Sequence, residues 1–236
     1  MNHHALLVDF GASRIKSTLI RLDDGSVRSK YFSQGSSYLG SKITSKFFAD
    51  ALIEHLTHAS ATAKVVAIMI CCEMHGFARK NASDLTAREY VSWRHSSENA
   101  GDIVSHLEAQ GFKSLTGMRP RSGLPVVTML ADYDLRAGIL NGEETISFLP
   151  DEICRLLGHS NNIVHASLAH ASGLFTRDNE PLAGFGLDEF QWPNASSDDL
   201  EKIGHVTFED RNIPCFGGYG DLQASVAGIR PNKQDW

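Results

Sequence analysis

The sequence predicts an α/β protein in which helices are layered on a sheet. Three features indicate this class: a meander of short strands at the start, an amphipathic helix after it, and a continuous apolar run at residues 65–72. A run of that length suits a strand buried on both faces. Strands, a helix and a buried strand in this order are typical of an α/β layer design.

The first thirty residues are predicted to form three antiparallel strands. Residues 5–10 are short and apolar, and residues 15–22 alternate between apolar and polar side chains. Asp23-Asp24-Gly25 is a strong hairpin turn, so residues 27–32 would form the third strand.

Three helices are predicted from apolar spacing and end signals. The first is marked by apolar residues at three- and four-residue spacing from Ile43 to Ala59, with Ser41 as a plausible N-cap. The second spans residues 96–110 and ends at Gly111, and the third spans residues 150–157, with Pro150 near its start and Gly158 after its end.

The last third of the chain is predicted to be less regular. Residues 176–200 are rich in Asn, Asp, Pro, Gly and Ser, which favours a loop. Two short strands are predicted within residues 203–215, followed by a glycine-rich turn at 217–220 and a helix that opens at 224–229.

Composition excludes several functional classes. The 236 residues carry a formal charge of −6, so no basic face is implied and neither duplex nucleic acid nor a membrane is an expected partner. The longest apolar run is much shorter than the roughly 20 residues that span a bilayer. The first residues do not show the charged start and apolar core that are typical of a signal peptide, so none is expected. Four cysteines without Cys-x-x-Cys spacing predict buried thiols in the cytoplasm, and the scattered histidines predict no zinc site.

The segment from Asp9 to Lys16 is the first candidate site. An aspartate closes an apolar strand and Gly11 permits a tight turn, which directs backbone N–H groups and small side chains into a space that can hold phosphate oxygens. The aspartate can also hold Mg²⁺, usually through water. The alternative is an ordinary hairpin with a charged tip.

Two further candidates follow apolar strands. Glu73-Met74-His75-Gly76 comes directly after the buried strand, at the strand end where open α/β sheets bind ligands. His75 can exchange hydrogen bonds with a hydroxylated substrate, or it is a satisfied histidine in a turn. Trp93-Arg94-His95 offers an aromatic wall and two polar groups, or equally a core tryptophan beside a surface pair.

The glycine-rich turn at 217–220 precedes Asp221. Glycines allow a close backbone approach, and an aspartate at a helix start is well placed to face a ligand. The alternative is that Asp221 is only an N-cap.

Taken in order, these segments resemble the FGGY carbohydrate kinases from Leu6 to Gly228. Asp9-x-Gly-x-x-x-x-Lys16 is similar to the family's first phosphate loop, and Met74-His75-Gly76 to the Met-His-Gly of its ketose kinases. The other similar stretches, in the family's order, are Val91-Ser92-Trp93, Ser122-Gly123-Leu124-Pro125, Ala166 to Gly173, Ile203 to Thr207 and Gly220-Asp221-Leu222-Gln223-Ala224. An ordered set is far more specific than any one match.

The resemblance implies a ribonuclease H-like fold, shared with actin and hexokinase, of which this chain would be the N-terminal lobe with a mixed central sheet. It implies ATP and Mg²⁺ as cofactors, and a ketose (pentulose or heptulose) as substrate. Asp221 would be the catalytic base that takes the proton of a sugar hydroxyl. The implied contacts are Asp9, Gly11, Ser13 and Lys16 for the nucleotide phosphates, Asp9 and Asp221 for the metal, and Met74, His75, Trp93 and Asp221 for the sugar.

The chain departs from the family pattern beside the sugar site. Many members have Ser-Gly-Gln before Met-His-Gly, where this chain has Cys71-Cys72-Glu73. The usual Asn-Asp after the tryptophan is replaced by Arg94-His95. These changes imply that a common sugar contact is altered.

The length predicts about one and a half domains at roughly 150 residues each. We expect residues 1–228 to form the sugar-binding domain and residues 229–236 to begin a linker to an ATP-binding lobe, supplied in cis or in trans. The chain alone would then be inactive, because the family closes two lobes around its substrates. The alternative is a non-catalytic module that binds a sugar or a partner. The face for the second lobe would also permit a homo-oligomer.

Overall fold

The computed structural model describes residues 3–36, 43–81, 84–95, 97–141, 144–188, 192–198 and 201–220. Four predicted features lie outside these residues: the N-cap Ser41, Asp221, the helix at 224–229 and the linker at 229–236.

The strands of this part of the chain are β1 (His4–Phe10), β2 (Arg14–Arg21), β3 (Val27–Gln34), β4 (Ile43–Thr44), β5 (Val65–Cys72), β6 (Phe77–Asn81), β7 (Asp84–Val91), β8 (Ile146–Ser147), β9 (Gly158–Ser160), β10 (Ile163–His165), β11 (Asn194–Ser196), β12 (Lys202–Phe208) and β13 (Arg211–Gly220). The helices are α1 (Ser45–Ser60), α2 (Ala100–Ala109), α3 (Phe112–Thr116), α4 (Pro125–Ala131), α5 (Tyr133–Leu140), α6 (Leu149–Leu157) and α7 (Ala166–Ser172).

Seven strands form the central sheet, in the order β3-β2-β1-β5-β13-β12-β9. β1, β5 and β13 are mutually parallel, whereas the flanking strands pair antiparallel. The predicted mixed sheet and the predicted N-terminal meander are therefore confirmed. β5 lies at the centre of the sheet, with no exposed position along its length, as its apolar run predicts.

Helix α1 covers one face of this sheet. Its residues Phe48, Leu52 and Leu56 are almost fully buried and belong to the same core as Phe10 and Ile68 of the sheet. Burial of this apolar stripe is what holds the helix in place, because few isolated helices of this length are stable in water.

The start of α1 differs from the prediction. The N-cap is Thr44 rather than Ser41, and Ile43 belongs to a short strand instead of the helix. The reason is tertiary: Ile43 and Thr44 pair with Tyr90 and Glu89 of β7, which holds them in an extended conformation.

The predicted turn at Gly217–Gly220 is wrong, because these residues continue β13. Gly217 and Gly218 have φ values of 85° and 84°, and the pairing with β5 shifts register between Gly217 and Tyr219. Two left-handed residues thus form a bulge within the strand. Pairing resumes beyond it and brings Gly220 level with Cys72 at the end of β5.

A second, antiparallel sheet has the order β4-β7-β6-β8. Glu152 of α6, which is fully buried, links this sheet to the helix layer. Its carboxylate accepts a hydrogen bond from Ser45 Oγ at 3.1 Å, another from Ser147 Oγ at 3.2 Å, and pairs with Arg88 Nε at 3.3 Å.

None of the helices in the described ranges is long and apolar enough to cross a membrane.

Candidate functional site

The candidate site lies at the edge of the central sheet where three parallel strands end together. Phe10 of β1 and Gly220 of β13 both pair with Cys72 of β5. At this edge the chain leaves β1 through residues 11–13 and β5 through residues 73–76, and the described part of β13 ends there at Gly220. In open α/β sheets this edge is the usual place for a ligand.

The first phosphate-loop candidate is a tight connection between β1 and β2. Asp9 and Lys16 are directly opposed in the antiparallel ladder, and Lys16 Nζ lies 3.5 Å from Asp9 Oδ2. Both side chains are partly exposed, as is Gly11, and Ser13 is exposed. The Ser13 carbonyl accepts a hydrogen bond from Gly35 N–H at 3.2 Å, which fixes the turn against the end of β3. The structure therefore brings the four predicted phosphate contacts together in one short, accessible turn.

The fit of this turn to Mg²⁺ rests on one carboxylate. No group of three or more His, Cys, Asp or Glu side chains that could hold a metal is found among the described residues. Mg²⁺ commonly keeps several waters and takes only one or two protein carboxylates together with substrate phosphates. Asp9, half-exposed at a strand end, fits that mode of binding. Asp221, the second predicted ligand, is not among the described residues.

Glu73 is a buried carboxylate directly after β5. Its side chain is 6% exposed, Oε1 accepts a hydrogen bond from Tyr90 Oη at 2.9 Å, and Oε2 accepts one from Arg94 Nη1 at 3.3 Å. Burial raises the pKa of Tyr90 well above its ordinary value, and the Glu73 charge raises it further. Tyr90 is therefore a neutral donor across the physiological pH range.

The two positions beside this site at which the sequence departs from the kinases it resembles thus contact each other. Glu73 stands where many of the kinases that the sequence resembles have a neutral glutamine, and Arg94 stands where they usually have an asparagine. The arginine supplies the positive charge that the buried carboxylate needs.

His75 has both ring nitrogens engaged within the protein. Nδ1 lies 2.5 Å from the Ala171 carbonyl oxygen, and Nε2 lies 2.9 Å from Arg121 Nη2. A carbonyl can only accept and a guanidinium can only donate. Nδ1 therefore carries the proton, and Nε2 is the acceptor of a neutral imidazole. His75 also adopts a left-handed backbone conformation, with φ of 65°.

Gly76 makes this turn possible. A Cβ atom at position 76 would overlap the hydroxyl group and ring of Tyr90. Because the same hydroxyl donates to Glu73, the turn of residues 73–76 and the strand β7 are locked together at this point. Met74, the predicted sugar contact beside His75, is half-buried in the same turn.

Trp93 lies beside the same cluster. It is 47% exposed, and the Arg94 guanidinium stacks 4.7 Å from the centre of its ring. Its carbonyl oxygen packs closely against Gly123. The exposed indole excludes a core tryptophan, one of the two interpretations that its sequence context left open.

The structure therefore gathers Glu73, Met74, His75 and Trp93 into one cluster. Asp221 follows Gly220, whose N–H donates to Ser167 Oγ at 3.2 Å, but Asp221 itself is outside the described residues, and its role stays a prediction.

Sequence reasoning missed Arg121, Tyr90 and Ala171. Arg121 is 46 residues from His75 and belongs to no recognisable motif. Ala171 contributes only a backbone carbonyl, which no residue type can signal.

No protein-family model matches the sequence, and no curated protein matches it either. Solved structures do match. The ligand-bound xylulose kinase of Lactobacillus acidophilus superposes with a TM-score of 0.76 and 16% identity over 96% of this chain and 50% of its own.

Two other kinases match similarly. The gluconate kinase of the same organism has a TM-score of 0.73 and 18% identity over 95% of this chain and 49% of its own. The glycerol kinase of Plasmodium falciparum, solved with ADP, has a TM-score of 0.72 and 12% identity over 96% of this chain and 50% of its own.

The fold of this chain is therefore that of one lobe of the carbohydrate kinases, as the resemblance implied. The chain spans about half the length of the kinases it matches.

Proposed function

We propose that this chain is the N-terminal, sugar-binding lobe of an FGGY-type carbohydrate kinase, which transfers the γ-phosphate of ATP to a sugar hydroxyl. The observation that carries the proposal is the meeting of the Asp9 turn and the Glu73–Gly76 turn at one sheet edge, in a fold shared over 96% of the chain with a xylulose kinase. Residues 1–228 would form this domain, and residues 229–236 would lead to the ATP-binding lobe.

Asp221 is the proposed catalytic base. It follows β13 directly. Gly220, the last residue of that strand, pairs with Cys72 at the end of β5, shortly before His75 in the chain. A carboxylate there would take the proton of the sugar hydroxyl as that oxygen attacks the γ-phosphorus and ADP leaves. Phosphoryl transfer needs positioning and charge neutralisation more than covalent chemistry, so the chain's main task is to orient the hydroxyl.

Asp9 is the residue proposed to hold Mg²⁺, together with Asp221. When bound, the ion would neutralise phosphate charge. Lys16, 3.5 Å from Asp9, would contribute a second positive charge, and the turn through Gly11 and Ser13 would offer N–H and hydroxyl donors to the phosphate oxygens.

The sugar would bind against Met74, His75 and Trp93. The exposed indole of Trp93 offers an apolar face to the ring or chain of a sugar. The His75 Nε2 atom is an acceptor for a hydroxyl, provided that the Arg121 guanidinium turns away or binds a second hydroxyl beside it. The Met-His-Gly sequence favours a ketose over glycerol.

The experiment is a phosphorylation assay with D-xylulose and ATP, in which the purified chain is measured alone and then mixed with a separately produced ATP-binding lobe of a xylulose kinase. The chain alone should bind the sugar weakly and turn over nothing. Robust phosphorylation by the chain alone would overturn the proposal that this chain supplies only one of the two lobes that form the active site.

Where mixing restores activity, Asp221→Asn should abolish turnover and leave sugar affinity within about twofold, because a base acts in the chemical step. Unchanged turnover would remove Asp221 from the role of base. Asp210→Asn, at the exposed turn between β12 and β13, is the matched control.

A second candidate is a binding module without chemistry. It is favoured by the Arg94–Glu73 pair and by the Arg121–His75 contact, which occupy the polar groups of the sugar cluster within the chain itself. Sugar binding without turnover, in the presence of a competent ATP-binding lobe, would support this candidate and refute the kinase.

A further inference from the structure

We propose a second ligand site, for a small carboxylate with an apolar body, in a cleft between α2, α5 and the segment at residues 184–188. The cleft shares none of its lining residues with the sheet-edge site. It has a volume of about 520 Å³, which is within the usual range of small-molecule pockets.

The walls of this cleft are mostly apolar. Ile103 of α2, Leu130 of α4 and Phe185 line it, and Phe185 is held in place by an edge-to-face contact with Phe112 at 6.3 Å between ring centres. His106 of α2 and Gln110, the residue that caps the C-terminal end of this helix, follow Ile103 at successive spacings of three and four residues and add two polar groups.

Arg136 of α5 is the one lining residue with a permanent charge. Its Nε atom is buried and has no hydrogen-bond partner within the described structure. Arg136 also takes part in no ion pair between residues that the structure describes. A buried donor without a partner is costly to retain and is therefore a rare feature. A ligand would satisfy it when the Arg136 side chain turns this edge of the guanidinium towards the cleft.

The segment beside Arg136 has an unusual backbone that approaches the guanidinium closely. Gly184, Phe185 and Gly186 have consecutive φ values of 78°, 58° and 73°. The φ of 73° at position 186 favours glycine, and a Cβ atom there would also meet Arg136 Nη2. Left-handed backbone at a phenylalanine is strained, and such strain is concentrated at functional sites.

These features together define the ligand class. A guanidinium presents paired N–H donors that match a carboxylate in a bidentate arrangement, and none of the described residues that line the cleft is acidic. A single guanidinium favours a singly charged anion over a phosphate ester. The walls formed by Ile103, Leu130 and Phe185 then favour an apolar body attached to that anion.

Phenylacetate is a suitable probe, because it joins one carboxylate to one aromatic ring. We expect saturable binding to the 236-residue chain in isothermal titration, together with a shift of the Arg136 Nε–H resonance in ¹H–¹⁵N spectra. Phenylacetamide, which has the same shape without the charge, should bind at least about tenfold more weakly, since it lacks the charge-assisted hydrogen bonds.

Arg136→Met should also weaken phenylacetate binding at least about tenfold. Arg28→Met, at an exposed arginine of β3 outside this cleft, should leave binding unchanged. Equal binding of acid and amide by the unmodified chain, or no shift of the Arg136 resonance at saturating phenylacetate, would overturn the proposal without recourse to a variant. D-xylulose should not displace phenylacetate, which separates this site from the proposed sugar site.

Discussion

Removing the Tyr90 hydroxyl tests how the buried Glu73 carboxylate is stabilised. Tyr90→Phe deletes the hydroxyl that donates to Glu73 Oε1 at 2.9 Å, in a place where Tyr90 is 2% and Glu73 is 6% exposed. Arg94 would remain as a partner on the other oxygen, but its side chain is 43% exposed and 3.3 Å away. We expect the free energy of unfolding to fall by about 1.5–3 kcal/mol, the usual contribution of a buried hydrogen bond to a charged group.

The assay is urea unfolding, followed by far-ultraviolet circular dichroism, on a double-mutant cycle. Glu73→Gln keeps an acceptor for Tyr90 but removes the charge, so Tyr90→Phe in that background should cost only about 0.5–1.5 kcal/mol. A coupling energy of about 1 kcal/mol follows from the difference. Tyr133→Phe, at a hydroxyl on an 82% exposed side chain, is the control and should change nothing. A Tyr90→Phe cost equal to that of the control, or the same cost with glutamine at position 73, would refute the reasoning.

Three further predictions concern the same lobe. Gly76→Ala should destabilise the fold by about 1–3 kcal/mol through overlap with Tyr90. The control is Gly101→Ala, which should not destabilise the fold because nothing lies within 4 Å of a Cβ there; equal unfolding midpoints of the two variants in urea would contradict this. Long-range ¹H–¹⁵N spectra at neutral pH should show His75 protonated on Nδ1, because that atom donates to Ala171; the Nε2-protonated tautomer would contradict it. Burial lowers the pKa of His55, so the unfolded state takes up the proton first, and stability should be full above pH ~6.5 and fall below it. His55→Gln should flatten that pH dependence in urea midpoints measured from pH 7.5 to 5; an unchanged slope would remove His55 as its source.

Local patterns predicted the elements that local chemistry determines. The meander of β1 to β3 follows from alternation and from Asp24, whose carboxylate accepts the Ser26 N–H at 2.9 Å in the turn. The helix α6 follows from Pro150 near its start and Gly158 after its end. In these places the residue type and the backbone conformation are linked directly.

Elements that depend on distant partners were missed or misplaced. The strand β7 was not predicted, because its charged residues Asp84, Arg88 and Glu89 give no apolar alternation. Its extended conformation depends on pairing with β6 and β4. Gly217 and Gly218 indicate a turn by composition, but pairing with β5 on both sides of them keeps the strand continuous. The Arg121–His75 contact depends on folding alone.

The Glu73–Arg94 contact has a consequence for how sequences of this kind can change. An arginine at the half-exposed position 94 is tolerable beside a neutral glutamine, because water can solvate it. Of the two donors that the structure describes, a glutamate at the buried position 73 without that arginine would keep only the Tyr90 hydroxyl, and it would lose the ion pair that compensates its charge. From a glutamine at position 73 and a neutral residue at position 94, the mutational path that avoids an unpaired buried charge therefore runs through arginine first and glutamate second. Among chains that share this turn, an acidic residue at position 73 should occur only together with a basic residue at position 94, whereas the basic residue can occur alone.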